Sequence, residues 1–464
     1  MLISFFVFFA LFTAVGIISA FWRKETVDDY LLASREVPAW LVGLSFGATI
    51  SSGATFIGFA GLAYHSGITA ICATGGIMLG DILGWFIAGD KVRSVSEAKH
   101  IRTFPTLVGK LGGQDFHKIT IITSLLTIVF MGTYCAAQLV AGAKVGQALF
   151  GWDFEYFVVI GALVLLAYCW AGGIRASIWT DALQAIIIFA SLAILIVSGL
   201  QAVGGVGALW TQLAVIDPGL TNPLQFKLLP VLVGWFFFGV GILGQPQLMV
   251  RHMVARSAKD IKTARGIYIT WRTIVLAMAV LSGLIARLLI PEADVFDPEL
   301  SIPQLWQDLL PPVLVGLLIA GLFSATMSTA DSLLLAASSS LTQHLVPKWR
   351  DSYFFARIGT ILIITLIVGI ALFAMKGVLA LVIVAWGGLA ASIGPLMVVH
   401  LLGGRPSQST ALVMLFTGLG VTVLWRYGLH LDKQLMELVP GMLSGFVVYV
   451  LSSAKNRFPK QANE

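Results

Sequence analysis

The chain has 464 residues, of which 58% are hydrophobic and 11% charged, with a mean hydropathy of +0.92. A soluble globular domain carries about a quarter charged residues, so this composition excludes one and describes a polytopic membrane protein. The formal net charge of +6 then reports basic loops meeting an anionic leaflet, and no nucleic-acid partner is expected.

In chain order, residues 2–21 lack a basic leader and are followed at once by Arg23 and Lys24. They read as a retained first span rather than a signal peptide. Apolar runs of about 20 residues continue to the end, and only α-helices satisfy their own backbone inside such runs. Thirteen spans are expected, over 2–21, 38–64, 68–89, 119–148, 155–172, 177–202, 229–250, 267–290, 311–345, 354–375, 378–402, 409–426 and 436–453. The polar stretch 90–118 is a loop with room for a short amphipathic helix. Cys72, Cys135 and Cys169 all lie in apolar runs and read as free, packed thiols.

Charge asymmetry orients this count. With the N-terminus outside, the external basic residues are Lys144, Lys227, Arg287, Lys376, Arg426 and Lys433, which leaves 23 of the 29 inside. The acidic "PEADVFDPELSIPQLWQD" then falls outside and the basic "RHMVARSAKDIKTAR" inside. The expectation is a multi-pass protein of the cell inner (plasma) membrane with a cytoplasmic C-terminus.

Two spans are interrupted. The second carries Gly47, Gly53, Gly58 and Gly61, and the seventh carries Gly239, Gly241, Gly244 and Pro246. One such span is explained equally well by close helix packing. Two of them five apart suggest repeated five-helix units that each open with a broken helix, as transporters build midplane sites. A channel is the competing reading of non-helical backbone in a membrane.

The ninth span holds "FSATMSTADSLLLAASSSLT", residues 323–342, with six serines, three threonines and Asp331. At 100° per residue, Ser324, Ala325, Ser328, Asp331, Ser332, Leu335, Ser339 and Thr342 share a broad face. Back-bonding to the helix accounts for Ser338, Ser340 and Thr342. It does not account for Asp331, because an intramembrane carboxylate is a site candidate. Small hydroxyls with backbone carbonyls suit a monovalent cation, whereas divalent ions recruit several carboxylates. Asp181, opening the sixth span, is a second acid whose bland reading is a solvated helix end.

No nucleotide loop, zinc spacing or nucleophile triad occurs, and the seven histidines are scattered. The chain is therefore expected not to be an enzyme. Two other classes stay open: a transporter-like membrane sensor, and an intramembrane protease built on the "MLGD" ending at Asp81. Nothing in the sequence names a protein partner.

"DDYLLASREVPAWLVGLSFGATISSG", "TYCAAQLVAGAK", "GGIRASIWTDALQA", "GILGQPQLMVRHMVARS" and "ATMSTADSLLLAASSSLT" resemble the sodium:solute symporter family, most of all its sodium/proline branch. The likeness runs from about residue 29 to 345. It implies a LeuT-type 5+5 inverted repeat: a leading helix and loop in 1–37, repeats in 38–202 and 229–402, trailing helices in 409–453, and a cytoplasmic tail in 454–464. It implies a symporter that uses Na+ as coupling ion to import a small-molecule solute, with an amino acid such as proline the first choice. A monocarboxylate, a sugar or pantothenate is the alternative.

By the same resemblance the sodium site falls on Ala48, Ser51, Ala325, Ser328 and Thr329. A second cation or proton site falls on Asp181, Asp331 and Ser332, with one sodium the preferred count. The solute pocket falls on Tyr134, Phe238, Ile242, Gln245 and Pro246, with Gln247 beside it, and Arg35 matches an arginine on the cytoplasmic side. The chain departs from the proline branch at Ile50, where that branch has an aspartate. It departs again at Phe238 and Ile242, which replace a tryptophan and a tyrosine.

Overall fold

The computed structural model describes residues 2–222, 228–290, 301–373 and 377–457, and all regular elements among them are helical. Eight helices are long and apolar enough to cross a membrane unaided. A further crossing is a pair, running through Leu229–Gly244 and Pro246–Met253, bent by 54°. The second expected span is split into shorter pieces, Ala39–Ile50 and Phe59–Ser66. Leu2–Ser19 and Leu438–Arg457 stand where the first and last spans are expected.

The fifth and sixth spans are two helices that follow one another within Phe154–Val203 and meet at a kink. Fifty helical residues would extend about 75 Å, far more than a bilayer core of about 30 Å. Gly173 resolves the excess: its φ of 55° and ψ of −141° fold the run back on itself. A side chain there would also strike the Tyr30 carbonyl oxygen, 2.4 Å from the Cβ position.

Loops following the odd-numbered spans meet at one end. Arg23 donates to the Ala171 carbonyl, Arg35 to the Ser96 and Ile101 carbonyls, and Lys91 to the Leu401 carbonyl. Arg102 binds Asp28 through two nitrogens and Asp351 through a third. The stretch 90–118 forms two short helices, Lys91–Ala98 and Phe104–Lys110, instead of one. Residues 291–300 of the acidic stretch, Lys227, Lys376 and the tail beyond residue 457 lie outside the described residues.

At this end Asp29 sits buried, and burial pushes its carboxyl upward. Hydrogen bonds from Arg175, Ser34 and the Lys24 amide outweigh that and hold it below the usual aspartate value. The contact ties the turn at Gly173 to the loop after the first span.

The core is the ninth span, Pro312–Ser340, packed against the fourth (His117–Phe150) and the fifth–sixth run. Nearly all of it is buried, including every hydroxyl from Ser324 to Ser340. The seventh span lies on the third, Thr69–Ala88, through glycines, with the Cβ position of Gly239 only 2.9 Å from the Gly80 Cα. Gly239 therefore serves close packing, while Gly241–Gly244 makes the break. Cys135 and Cys169 are buried, Cys72 is half-buried, and all three are free thiols.

Candidate functional site at the two broken spans

Helix Ala39–Ile50 ends at Ser51, whose φ and ψ of −88° and 63° leave the helix, and a turn over Ala54–Gly58 restarts it. Such an interruption leaves backbone groups that need partners from elsewhere in a membrane. Two neighbouring spans supply them. The Gln138 side chain of the fourth span accepts from the Gly53 amide at 2.9 Å. The Thr329 hydroxyl of the ninth span donates to the Thr49 carbonyl at 2.8 Å. The ninth span thereby meets the end of the helix that carries Ala48 and Ser51, the residues that the resemblance groups with Ala325, Ser328 and Thr329. Hydroxyls that donate in this way keep lone pairs with which to face a cation.

Beside this contact Asp181 is fully buried, not a solvated helix end. Its Oδ1 accepts from Ser328 at 2.5 Å, and its Oδ2 accepts from Ser45 at 2.5 Å and Arg251 at 3.0 Å. Asp331 accepts from Ser177 at 2.8 Å, Ser332 at 2.7 Å and Tyr168 at 3.2 Å. Arg251 also reaches Ser332 and Ser177, so one guanidinium joins the two carboxylates' shells. The predicted second-site residues Asp181, Asp331 and Ser332 are thus together, but with an arginine among them. Ser338, Ser339, Ser340 and Thr342 instead bond back to carbonyls of their own helix.

The seventh span breaks differently. After Leu228–Val240 come a tight turn over Gly241–Gly244 and a new helix that opens with Pro246. Trp386 of the eleventh span, Val378–Leu401, closes the gap. Its indole donates to the Phe238 carbonyl at 2.9 Å, and its own carbonyl accepts from Gln245 at 3.1 Å. The rings of Phe238 and Trp386 stack 4.8 Å apart and 3° from parallel. Tyr134 meets Trp386 edge-on at 6.4 Å and shares a hydrogen bond with Ser52. Phe238, Gln245 and Tyr134 therefore gather around Trp386, and Pro246 follows Gln245 in the chain. Ile242 does not join them: it fills the space left by Gly84 of the third span.

A cavity of about 650 Å³ opens at the basic end, lined by Arg35, Arg102, Lys110, Arg350 and His344 among others. A slot of about 20 Å³ reaches on from Arg102 past Tyr30 and Gln247 to Arg251 and Ser332.

The sodium:solute symporter family signature matches residues 30–418. The chain belongs to the sodium:solute symporter family. It is 29% identical over 452 residues to the high-affinity proline transporter PutP of Bacillus subtilis, covering 94% of this chain and 95% of that one. It is 28% identical over 480 residues to the sodium/proline symporter of Escherichia coli, covering 100% and 94%. Its fold matches that of a Na+-coupled sialic acid symporter solved in a substrate-bound outward-open state, with a TM-score of 0.84 at 19% identity over 97% of each chain. A closed, bromovinylhydantoin-bound nucleobase-cation-symport-1 family transporter, Mhp1, matches with a TM-score of 0.59 at 14% identity. The fold is LeuT-type, and the chain is a sodium-coupled symporter, not an enzyme. The protease reading of Asp81 falls away.

Three buried residues at the two breaks escape the sequence reading. Trp386 is a lone tryptophan inside an apolar run, which was the available signal. Arg251 and Arg272 were assigned to the cytoplasmic loops in the charge count, yet both are buried. The count is corrected accordingly, because each guanidinium has a carboxylate partner from another span. Arg272 lies inside the run 267–290, where an intramembrane charge was itself the warning.

Proposed function

We propose that this symporter imports a small amino acid, proline first among them, with one sodium ion per cycle. Sodium would lie between the carbonyls of Ala48, Ser51 and Ala325 and the hydroxyls of Ser328 and Thr329. The observation that carries this is the Thr329–Thr49 contact, which sets the hydroxyls of the ninth span against the broken second span. An ion there would clamp the two together. Asp181, bonded to Ser328, supplies charge without touching the ion. Asp331 and Ser332, held by Arg251, form the place where a second cation or a proton would act.

The solute would rest on Tyr134, Phe238 and Trp386, within reach of Gln245. The proline names of the relatives support the first choice, and the flat aromatic pair suits a compact apolar ring. The N-terminus is placed outside and the C-terminus in the cytoplasm, from the charge asymmetry. The basic-end cavity is then cytoplasmic, and the slot behind it is the route by which sodium leaves. One charge crossing 100 mV contributes about 2.3 kcal/mol to uphill transport.

The test is uptake into proteoliposomes of labelled proline, other amino acids, monocarboxylates, sugars and pantothenate, with and without an inward sodium gradient. Sodium-stimulated proline uptake is expected. A sodium-stimulated solute of another class would overturn the proline assignment. Proline uptake indifferent to sodium would overturn the sodium site.

A further inference from the structure

On the outer face of the bundle, beside the second broken span, lies a groove that the ion and solute sites do not use. It holds about 390 Å³ between Leu44 of the second span, Phe189 of the sixth and residues 266–274 of the eighth, Ala258–Leu289. Phe189 and Ile274 are exposed on its rim, where hydrocarbon would meet them. Gly266 makes the opening, since a side chain there would meet no other heavy atom within 4 Å. Trp271 forms part of the wall, and its ring also packs on Gly47, 2.7 Å from the Cβ position of that glycine.

The same face of the eighth span turns from apolar to basic as it nears the basic end. At 100° per residue, Lys262 and Lys259 lie within about 40° of Gly266, one and two turns before it. Both are exposed, and neither has an ion-pair partner among the described residues. The charges beside them are already engaged: Asp260 faces Arg256 at 3.9 Å, and Arg265 lies 4.0 Å over the Phe86 ring. Depth fits as well. Trp271 is level with Gly47, next to the break, and Lys262 precedes it by about 14 Å of helix, close to half of a bilayer core of about 30 Å. The lysines therefore stand where hydrocarbon gives way to headgroups. A soluble anion would match the lysines but leave the groove empty, and an uncharged chain would fill the groove but leave the lysines unmatched.

We propose that this groove is a binding site for an anionic phospholipid, with one acyl chain along residues 266–274 and the phosphate between Lys259 and Lys262. The chain bears on Leu44, in the helix Ala39–Ile50 that ends at the break, and on Trp271. It braces that half of the second span against the eighth without touching the ion.

The experiment uses the full-length protein in detergent, supplied with phosphatidylglycerol or phosphatidylcholine of identical chains. Native mass spectrometry counts the lipids that stay bound, and thermal unfolding reads the stabilisation they give. One tightly held phosphatidylglycerol is expected, preferred about 30-fold over phosphatidylcholine, which is what two lysines near an anionic headgroup supply. Lys259→Gln with Lys262→Gln should lower the phosphatidylglycerol count by one and remove its extra stabilisation. Gly266→Leu, which fills the groove where a side chain has room, should do the same with both lysines intact. Equal retention of the two lipids by the unmodified protein overturns the proposal. So does a phosphatidylglycerol count that either variant leaves unchanged, because the lipid then sits elsewhere. Soluble glycerol phosphate that stabilises the protein as much as phosphatidylglycerol would show that the lysines take a free phosphate, and overturns the lipid assignment.

Discussion

The two broken spans face the same problem, loose backbone inside a membrane, and answer it with different chemistry. At the second span the break is held by hydroxyls, an amide and a guanidinium: Thr329 on the Thr49 carbonyl, Gln138 on the Gly53 amide, Arg272 on Ser51 and Thr55. At the seventh span it is held by the indole of Trp386 and the amide of Gln245, within stacked rings and with no charge in the contact. The difference follows from what each can bind. Oxygen atoms with spare lone pairs suit a small cation, whereas a flat apolar face suits an organic body. In the proposed cycle one break reads the ion and the other the solute, and the ninth and eleventh spans are the fixed surfaces against which they close.

Two substitutions should separate the two breaks, and a third probes the structure away from both. The largest effect is expected from Asp181→Asn, which strips the closest carboxylate from buried Arg251. Breaking such a pair costs about 3 kcal/mol or more, so the melting temperature in detergent should fall clearly. Adding Arg251→Met should recover part of that loss, and no recovery would show that Arg251 is not the reason for it. Next is Trp386→Phe, which removes the bond to the Phe238 carbonyl at a cost of about 1.5 kcal/mol. Solute KM should rise about tenfold with the sodium half-saturation unchanged; a sodium effect of equal size would erase the division between the breaks.

The smallest effect lies away from both breaks, at Asp29. Its carboxyl is held below the usual 3.8, so its contribution to stability is fully present above that pH. It is lost as the pH falls through the lower folded-state value. Asp29→Asn should therefore cost about 1 kcal/mol near neutral pH. The difference from the unmodified protein should vanish in strong acid, as followed by thermal unfolding across pH.

Much of the fold was legible because membrane helices announce themselves one at a time, through apolar length and through the charges between them. The breaks were legible for the same local reason, since Gly241, Gly244 and Pro246 are poor helix formers wherever they occur. Ser328 and Thr329 stood out as hydroxyls in an apolar setting. What the sequence could not carry was pairing. Arg251 sits at the edge of a basic stretch and looks like one more loop charge until Asp181 and Asp331 are brought to it from two other spans. The resemblance puts Ile242 in the solute wall, but Gly84 opens a space on the third span and the side chain turns there. The fifth and sixth spans part at Gly173, within the four residues that separate them in the sequence, where the backbone freedom of glycine makes the turn between two helices.

The central claim is that the ion lies between the second and ninth spans, and it is tested most directly by sodium dependence. Ser328→Ala with Thr329→Ala removes both hydroxyls proposed as ligands without adding bulk or charge. Solute uptake into proteoliposomes should then need at least about tenfold more sodium for half-maximal rate, the loss of one to two hydrogen-bond-sized interactions. An unchanged half-saturation in that double variant, with solute still carried, would place the ion elsewhere and contradict the account.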